Sequence, residues 1–345
     1  MVPESLTDLI APASAKDRAD VFRDICAELP DRAGPSGAAL RWIEQDTGQT
    51  NNDPASALRI AFWNAERGGT PEHAAMLLSQ TGADIVLLCE LDMGVARTGQ
   101  LHTTRETAQH LGANYLYAVE FIELENAEAH SLGFHGNAIL SRNSMLDPIL
   151  IRFPEDRDWL TGTNRDRRLG SRIALAARIV LDGHSVVVAT THLESHTGPD
   201  QRAHQMELLL NELESYADGQ PILIGGDFNT RTATKDAMRN TAARQALKCK
   251  DPKVFTQPQA REPLFEIAAR AGYTWLSCNQ PLPTERGSAE VPARPLFRLD
   301  WFFARGLVCE TSRNIPAETP CGASLSDHDV ITTDIRLSGL HKITR

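Results

Sequence analysis

Between residues 58 and 335 the chain repeats one arrangement: a short run rich in Val, Ile, Leu and Ala that stops at a polar residue. The runs are Leu58–Trp63, Asp84–Cys89, Asn137–Leu140, Arg172–Leu181, Ser185–Thr190, Pro221–Gly225, Arg298–Phe303 and Val330–Ile335. Near-continuous apolar runs of this length, bounded by Gly, Asp, Asn or Pro, predict strands covered on both faces. Helical spacing falls between them at Pro71–Gln80, Thr104–Leu111, Pro199–Tyr216 and Arg261–Ala271. The Asp182-Gly183 pair between two β-rich halves predicts a hairpin, so some pairing is antiparallel and the sheet is mixed. The chain is therefore a layered α/β protein.

The first 55 residues differ from the rest. Ser14 to Leu29 reads as a helix ended by Pro30, and Gly34 to Gly37 and Gln45 to Pro54 carry linker residues. We expect an N-terminal helical extension over 1–55 and one catalytic domain over 56–340. The six cysteines are scattered without zinc or redox spacing, which fits free thiols in a reducing compartment. Met1 to Ala15 lacks a basic secretory n-region, and no apolar run reaches the length of a membrane span. The expected location is cytoplasmic, with no membrane partner.

The strand ends carry the chemistry. Asn64 follows the first run and Glu90 the second; His192 and Glu194 follow the fifth, and Asp227-Phe228-Asn229 the sixth. Asp300 lies in the seventh, and Asp327-His328 precede the last. One polar residue at a strand end is usually a turn or a cap; six strand ends so equipped are a site. Hard divalent cations take oxygen ligands, which Glu90 and Asp327 supply. Asp227 with Asn229 suits the orientation and deprotonation of a water. The Gly225-Gly226 pair is expected to turn the backbone so that both side chains face the site. His192 and His328 can donate to phosphoryl oxygens, and Asp300 can hold one imidazole in its tautomer. Together these types point to metal-assisted hydrolysis of a phosphoester.

Seven fragments then occur in one order: Ala61-Phe62-Trp63-Asn64, Leu87-Leu88-Cys89-Glu90, Gly136-Asn137-Ala138-Ile139-Leu140-Ser141-Arg142, Thr191-His192-Leu193, Gly226-Asp227-Phe228-Asn229, Arg298-Leu299-Asp300-Trp301 and Ser326-Asp327-His328. In this the chain resembles the endonuclease/exonuclease/phosphatase superfamily, which includes pancreatic deoxyribonuclease, apurinic endonucleases, inositol polyphosphate 5-phosphatases, neutral sphingomyelinases and deadenylases. The resemblance implies a four-layer α/β sandwich with two central mixed β-sheets and a Mg²⁺ site (Mn²⁺ as the substitute) between their loops. It implies Glu90 as the principal metal ligand, with Asn64 and Asp327 completing the metal and phosphate shell. Asp227 would orient or deprotonate the water, and Asn229 would hold the phosphate or that water. His328, paired to Asp300, would contact the scissile phosphate. His192 matches the deoxyribonuclease and sphingomyelinase branches.

Arg172 stands where relatives carry a phosphate-reaching arginine, the alternative being a strand-edge arginine in water. Asn137, in the third fragment, is the other substrate-binding candidate. Cys89 replaces a glutamine common among relatives, and Asp92 with Arg97 either shapes a pocket or forms a loop ion pair. Glu194 is a possible support for His192. His135 and His196 lie near the fragments, and Trp159 either stacks on a substrate or packs in the fold.

Formal charge is −10, from 35 Lys plus Arg against 45 Asp plus Glu. Affinity for a long polyanion needs a broad basic surface, so stable duplex-DNA binding is not expected. Residues 152 to 178 are locally basic, with seven Arg against four acids, beside the expected site. The sequence thus predicts a Mg²⁺-dependent phosphodiesterase or phosphomonoesterase acting on a phosphorylated small molecule or a short or single-stranded nucleic acid. A nuclease acting on DNA or RNA, and a non-catalytic binding protein that retains the fold, are the competing readings.

Overall fold

The computed structural model describes residues 39–48, 55–124, 132–155, 157, 159, 167–287 and 296–338. The helix expected at Ser14–Leu29 lies outside them.

Two βαβ units organise the chain. In the first, β2 (Leu58–Arg67) passes through α1 (Pro71–Thr81) to a parallel β3 (Ile85–Met93). In the second, β9 (His184–His192) passes through α3 (Pro199–Ala217) to a parallel β10 (Ile222–Asp227). Pro at the first turn starts each helix, and a left-handed residue ends each one, Gly82 or Asp218.

The other strands are β1 (Ile43–Asp46), β4 (Asn114–Glu123), β5 (Phe134–Ser141), β6 (Leu146–Arg152), β7 (Arg168–Gly170), β8 (Ile173–Leu181), β11 (Asp300–Arg305), β12 (Leu307–Ile315) and β13 (Val330–Leu337). One sheet runs β1-β4-β5-β3-β2-β13-β12 with β7 beside β4; the other runs β11-β10-β9-β8-β6. The remaining helices are α2 (Thr103–Leu111), α4 (Lys235–Met238), α5 (Thr241–Lys250) and α6 (Leu264–Arg270).

Three apolar layers separate four structural ones. Ile60, Phe62, Leu87, Leu175, Val188 and Leu223 fill the space between the sheets. Ala74, Leu77, Leu78 and Ala108 from α1 and α2 cover the outside of the first sheet together with Trp63 and Leu88. Met206, Leu209, Leu213 and Phe265 from α3 and α6 cover the second. This is the four-layer sandwich, and the hairpin at Asp182-Gly183 joins β8 to β9 antiparallel. Among the described residues no helix is long and apolar enough to cross a membrane.

Two expectations are corrected. Ile43–Asp46, inside the expected extension, pairs with Tyr115–Ala118 and is part of the first sheet. Gly225 and Gly226 do not turn the chain; both lie in β10. Their missing side chains permit close packing instead: a Cβ on Gly226 would stand 2.7 Å from the Thr191 carbonyl oxygen, and one on Gly225 2.8 Å from a Leu87 methyl. The turn comes later, at Asn229, whose φ is 51°.

Candidate active site

Strand register gathers the polar residues at one end of the sandwich. Asn64 and Cys89 are partners in the parallel β2–β3 ladder. Asp227 is opposite His192 on one side and Asp300 on the other. The β2–β3 register slips between Asn64 and Arg67, and Glu66, Arg67 and Glu90 have φ of 42°, 82° and 58°. Left-handed non-glycine residues cost energy and cluster where function holds them.

Asp227 is the hub. Its Oδ2 accepts from Asn64 Nδ2 at 3.1 Å, and its Oδ1 accepts from the Asn229 backbone N–H at 2.9 Å. His192 Nε2 stands 3.5 Å and His328 Nε2 3.7 Å from the same Oδ2. Burial pushes this carboxyl up, but the two imidazoles and Arg231 outweigh it and hold it below its usual range.

The two histidines carry different charges. His328 Nδ1 donates to Asp300 Oδ2 at 2.8 Å. Burial opposes its charge, yet Asp300, Asp327 and Asp227 raise its pKa well above 6.5. Burial pushes the Asp300 carboxyl up to about 6 against the pull of His328; the pair stands as imidazolium and carboxylate at neutral pH. His192 Nδ1 lies 2.9 Å from an Arg172 nitrogen, which can only donate. That fixes the proton on Nε2, toward Asp227, and burial with Arg172 drives the His192 pKa well below 6.5.

Glu90 accepts from Asn64 at 3.2 Å and from Arg67 at 2.9 Å, and Arg67, His192 and His135 outweigh burial to keep it ionised. Arg67 also touches His135 Nε2 at 3.1 Å, and His135 Nδ1 lies 2.9 Å from Asp92 Oδ1. Arg97 binds both oxygens of Asp92 and reaches Glu123. Asp92 is thus a buried carboxylate behind Glu90, paired to the partly exposed Arg97.

Asp327 is more than half exposed, and its backbone N–H donates to Glu66 Oε2 at 2.9 Å. The loop is fixed to β2 by Ser326 Oγ donating to the Asn64 carbonyl and Trp63 Nε1 to that of His328. Arg172 is not a water-exposed edge residue: it is buried, bonded to Glu120 at 3.0 Å and to Glu194 at 3.3 Å. Glu194 therefore supports His192 only through Arg172.

Two expected groups are committed elsewhere. Asn229 gives its amide nitrogen to the Leu193 carbonyl and its oxygen to Arg231. Asn137 is buried and donates to the Ile173 carbonyl at 3.3 Å, tying one sheet to the other. Trp159 packs against Phe121 and His196.

Arg67, Glu66 and Lys235 belong to this end of the molecule and were not expected. Arg67 and Glu66 lie in the polar run after Asn64, a signal that was available. Lys235 begins a helix eight residues past Asp227 and carries no local signal.

For a metal, Asn64, Glu90 and Asp327 offer only oxygen and amide donors, with Asp327 open to water, which suits a hard divalent cation that retains waters. A second grouping, Asp227, Asp300 and His328, has donor atoms within 4.8 Å of one another. Its imidazole and one of its carboxylates, His328 and Asp300, already satisfy each other.

The endonuclease/exonuclease/phosphatase family model matches residues 61–328. No curated protein matches the sequence. Among solved structures, an endonuclease/exonuclease/phosphatase from Beutenbergia cavernae is similar at 17% identity and TM-score 0.58, over 82% of this chain and 72% of that one. The human Nocturnin catalytic domain with bound sulfate is similar at 18% identity and TM-score 0.54, over 86% of this chain and 97% of that one. A Bacteroides vulgatus protein of the same description gives 16% and 0.51, over 82% and 99%. With its motifs at the loop ends of a four-layer sandwich and the family matched over most of its length, the chain belongs to the endonuclease/exonuclease/phosphatase family, hydrolases of phosphoester bonds.

Proposed function

We propose that the chain is a divalent-metal-dependent phosphoesterase that cleaves a phosphodiester or phosphomonoester by in-line attack of water. The observation that carries this reading is the convergence on one oxygen of Asp227 of Asn64, His192 and His328 from both sheets, with Glu90 on the same amide of Asn64. Asp227 orients the attacking water and takes its proton. His328, held by Asp300, presents an N–H at Nε2 to a phosphoryl oxygen. His192 offers its Nε2–H from the other side.

Glu90, Asn64 and Asp327 would hold the cation, Mg²⁺ or Mn²⁺. When bound there, it offsets carboxylate charge and polarises the phosphoryl group. Arg67 pairs with Glu90 through Oε2, so a bound cation would share this carboxylate with Arg67. We expect a small or single-stranded phosphorylated substrate.

A panel of bis(p-nitrophenyl) phosphate, DNA, RNA, inositol phosphates and nucleotide sugars tests the reading. Turnover of at least one member should vanish in EDTA and return with Mg²⁺ or Mn²⁺. Turnover that survives chelation removes the metal from the proposal, and inertness across the panel with both metals favours a binding protein.

A further inference from the structure

Beside Glu90 and His192 lies a cavity whose cations are Arg67, Arg168, Arg172, Lys235 and Arg239. Among the described residues Glu90 is the one carboxylate on its wall. Its floor is rigid. Arg172 is held by Glu120 and Glu194, and Arg168 by Glu123 at 3.1 Å. Both guanidiniums are more than nine-tenths buried, and Arg168 Nε is left without a hydrogen-bond acceptor.

Lys235 stands above this floor and makes no ion pair with a described residue. Burial, with the neighbouring Arg231, lowers its pKa against the pull of Glu90, Asp327 and Asp227. Trp159 lines the same wall, but its ring is engaged by Arg157 at 4.5 Å and Arg168 at 5.1 Å and edged by His196. It is not open as a platform for a stacked base. What the cavity offers is N–H donors and positive charge.

We propose that this cavity is a second anion subsite, taking a terminal phosphomonoester of the substrate whose scissile phosphate lies at Asp227 and His328. The proposal rests on the phosphoesterase reading above. A terminal phosphate brings up to two charges and three acceptor oxygens, which matches converging guanidinium and ammonium donors. Among the described residues the floor is made of Arg168, Arg172 and Trp159, all held by their own partners, which suits the end of a substrate rather than a chain running on. The substrate is then read from a phosphorylated end, and the subsite is indifferent to the base.

The test compares a dinucleoside monophosphate with its 5′-phosphorylated form at fixed metal and salt. We expect kcat/KM to favour the phosphorylated form by about tenfold or more. Lys235→Gln and the exposed Arg239→Gln should each shrink that ratio several-fold. A ratio near one in the wild type, or one that neither variant changes, overturns the subsite.

Binding separates this from failure of the hydrolase reading. Without metal, calorimetry should show a nucleoside 3′,5′-bisphosphate and a sugar bisphosphate each binding more tightly than the nucleoside 5′-monophosphate, with the gain reduced in Lys235→Gln. If the three bind equally, the subsite is wrong whether or not any ester is cleaved. If the bisphosphates bind and nothing is hydrolysed, the subsite stands and the hydrolase assignment falls.

Discussion

At the Asp227 carboxylate, one oxygen faces Asn64, His192 and His328 while the other is tied to its own loop by the Asn229 N–H. Only the first can serve a water. Asp227→Asn keeps the volume and the loop hydrogen bond but removes the anion and the proton acceptor. Turnover should fall by roughly 10²- to 10⁴-fold. Thermal stability should fall at neutral pH, because the depressed pKa of Asp227 means that the fold stabilises its anion. Steady-state rates and a melting curve on the same preparation check this, and near-wild-type turnover would end the assignment. The residues legible in the sequence are those that close a strand: Asn64, Glu90, His192, Asp227 and His328 each terminate or precede an apolar run. Arg67 lies in the polar run after Asn64, but its turn toward Glu90 depends on two successive left-handed residues, Glu66 and Arg67, which composition does not announce. Asn137 and Arg172 were legible as motif members but not as structural struts, since their partners, Ile173, Glu120 and Glu194, are set by how the sheets dock.

At the scale of elements, the strands missed in the sequence are informative. The strand Asn114–Glu123 is buried along its length yet contains Glu120 and Glu123, so its apolar run is broken. Those two acids are there to hold cations: Glu120 meets Arg172, and Glu123 meets Arg97 and Arg168. Burial raises the Glu123 carboxyl, but Arg168, His135 and Arg97 more than reverse this and bring it to about 2. A folded pKa below the unfolded value of about 4.5 gives stability that is present above pH 4.5 and lost as pH falls toward 2. That shift corresponds to roughly 3 kcal/mol. Glu123→Gln should therefore be destabilised by about that amount at neutral pH, leaving the buried Arg168 and the partly exposed Arg97 short of charge. The gap between wild-type and variant melting temperatures should close steadily from pH 7 to pH 2. A gap that stays constant across this range would show that Glu123 acts through packing and not charge.

For the whole molecule, neither sheet holds the site alone: Asn64 and Glu90 come from the first, His192, Asp227 and Asp300 from the second. That explains why strand ends could be read one at a time while their meeting point needed the sandwich. It also bears on charge. The −10 of the full chain surrounds a basic cavity whose floor cations are matched by Glu120, Glu123 and Glu194. The surplus that a phosphate meets is thus local, a handful of donors at most. Each phosphate contact on duplex DNA contributes about −0.9 to the slope of log affinity against log salt, and about −0.7 on a single strand. The cavity takes one terminal phosphate and the catalytic centre the scissile one, so log kcat/KM for a short single strand should fall with a slope no steeper than about −2. Duplex DNA, which needs a track of cations along its length, should compete weakly at physiological salt. Salt titration of cleavage, with and without added plasmid, measures both quantities. A slope approaching −5, or strong inhibition by plasmid, would mean that an extended basic track outside the cavity carries the substrate, and the preference for short ends would have to be abandoned.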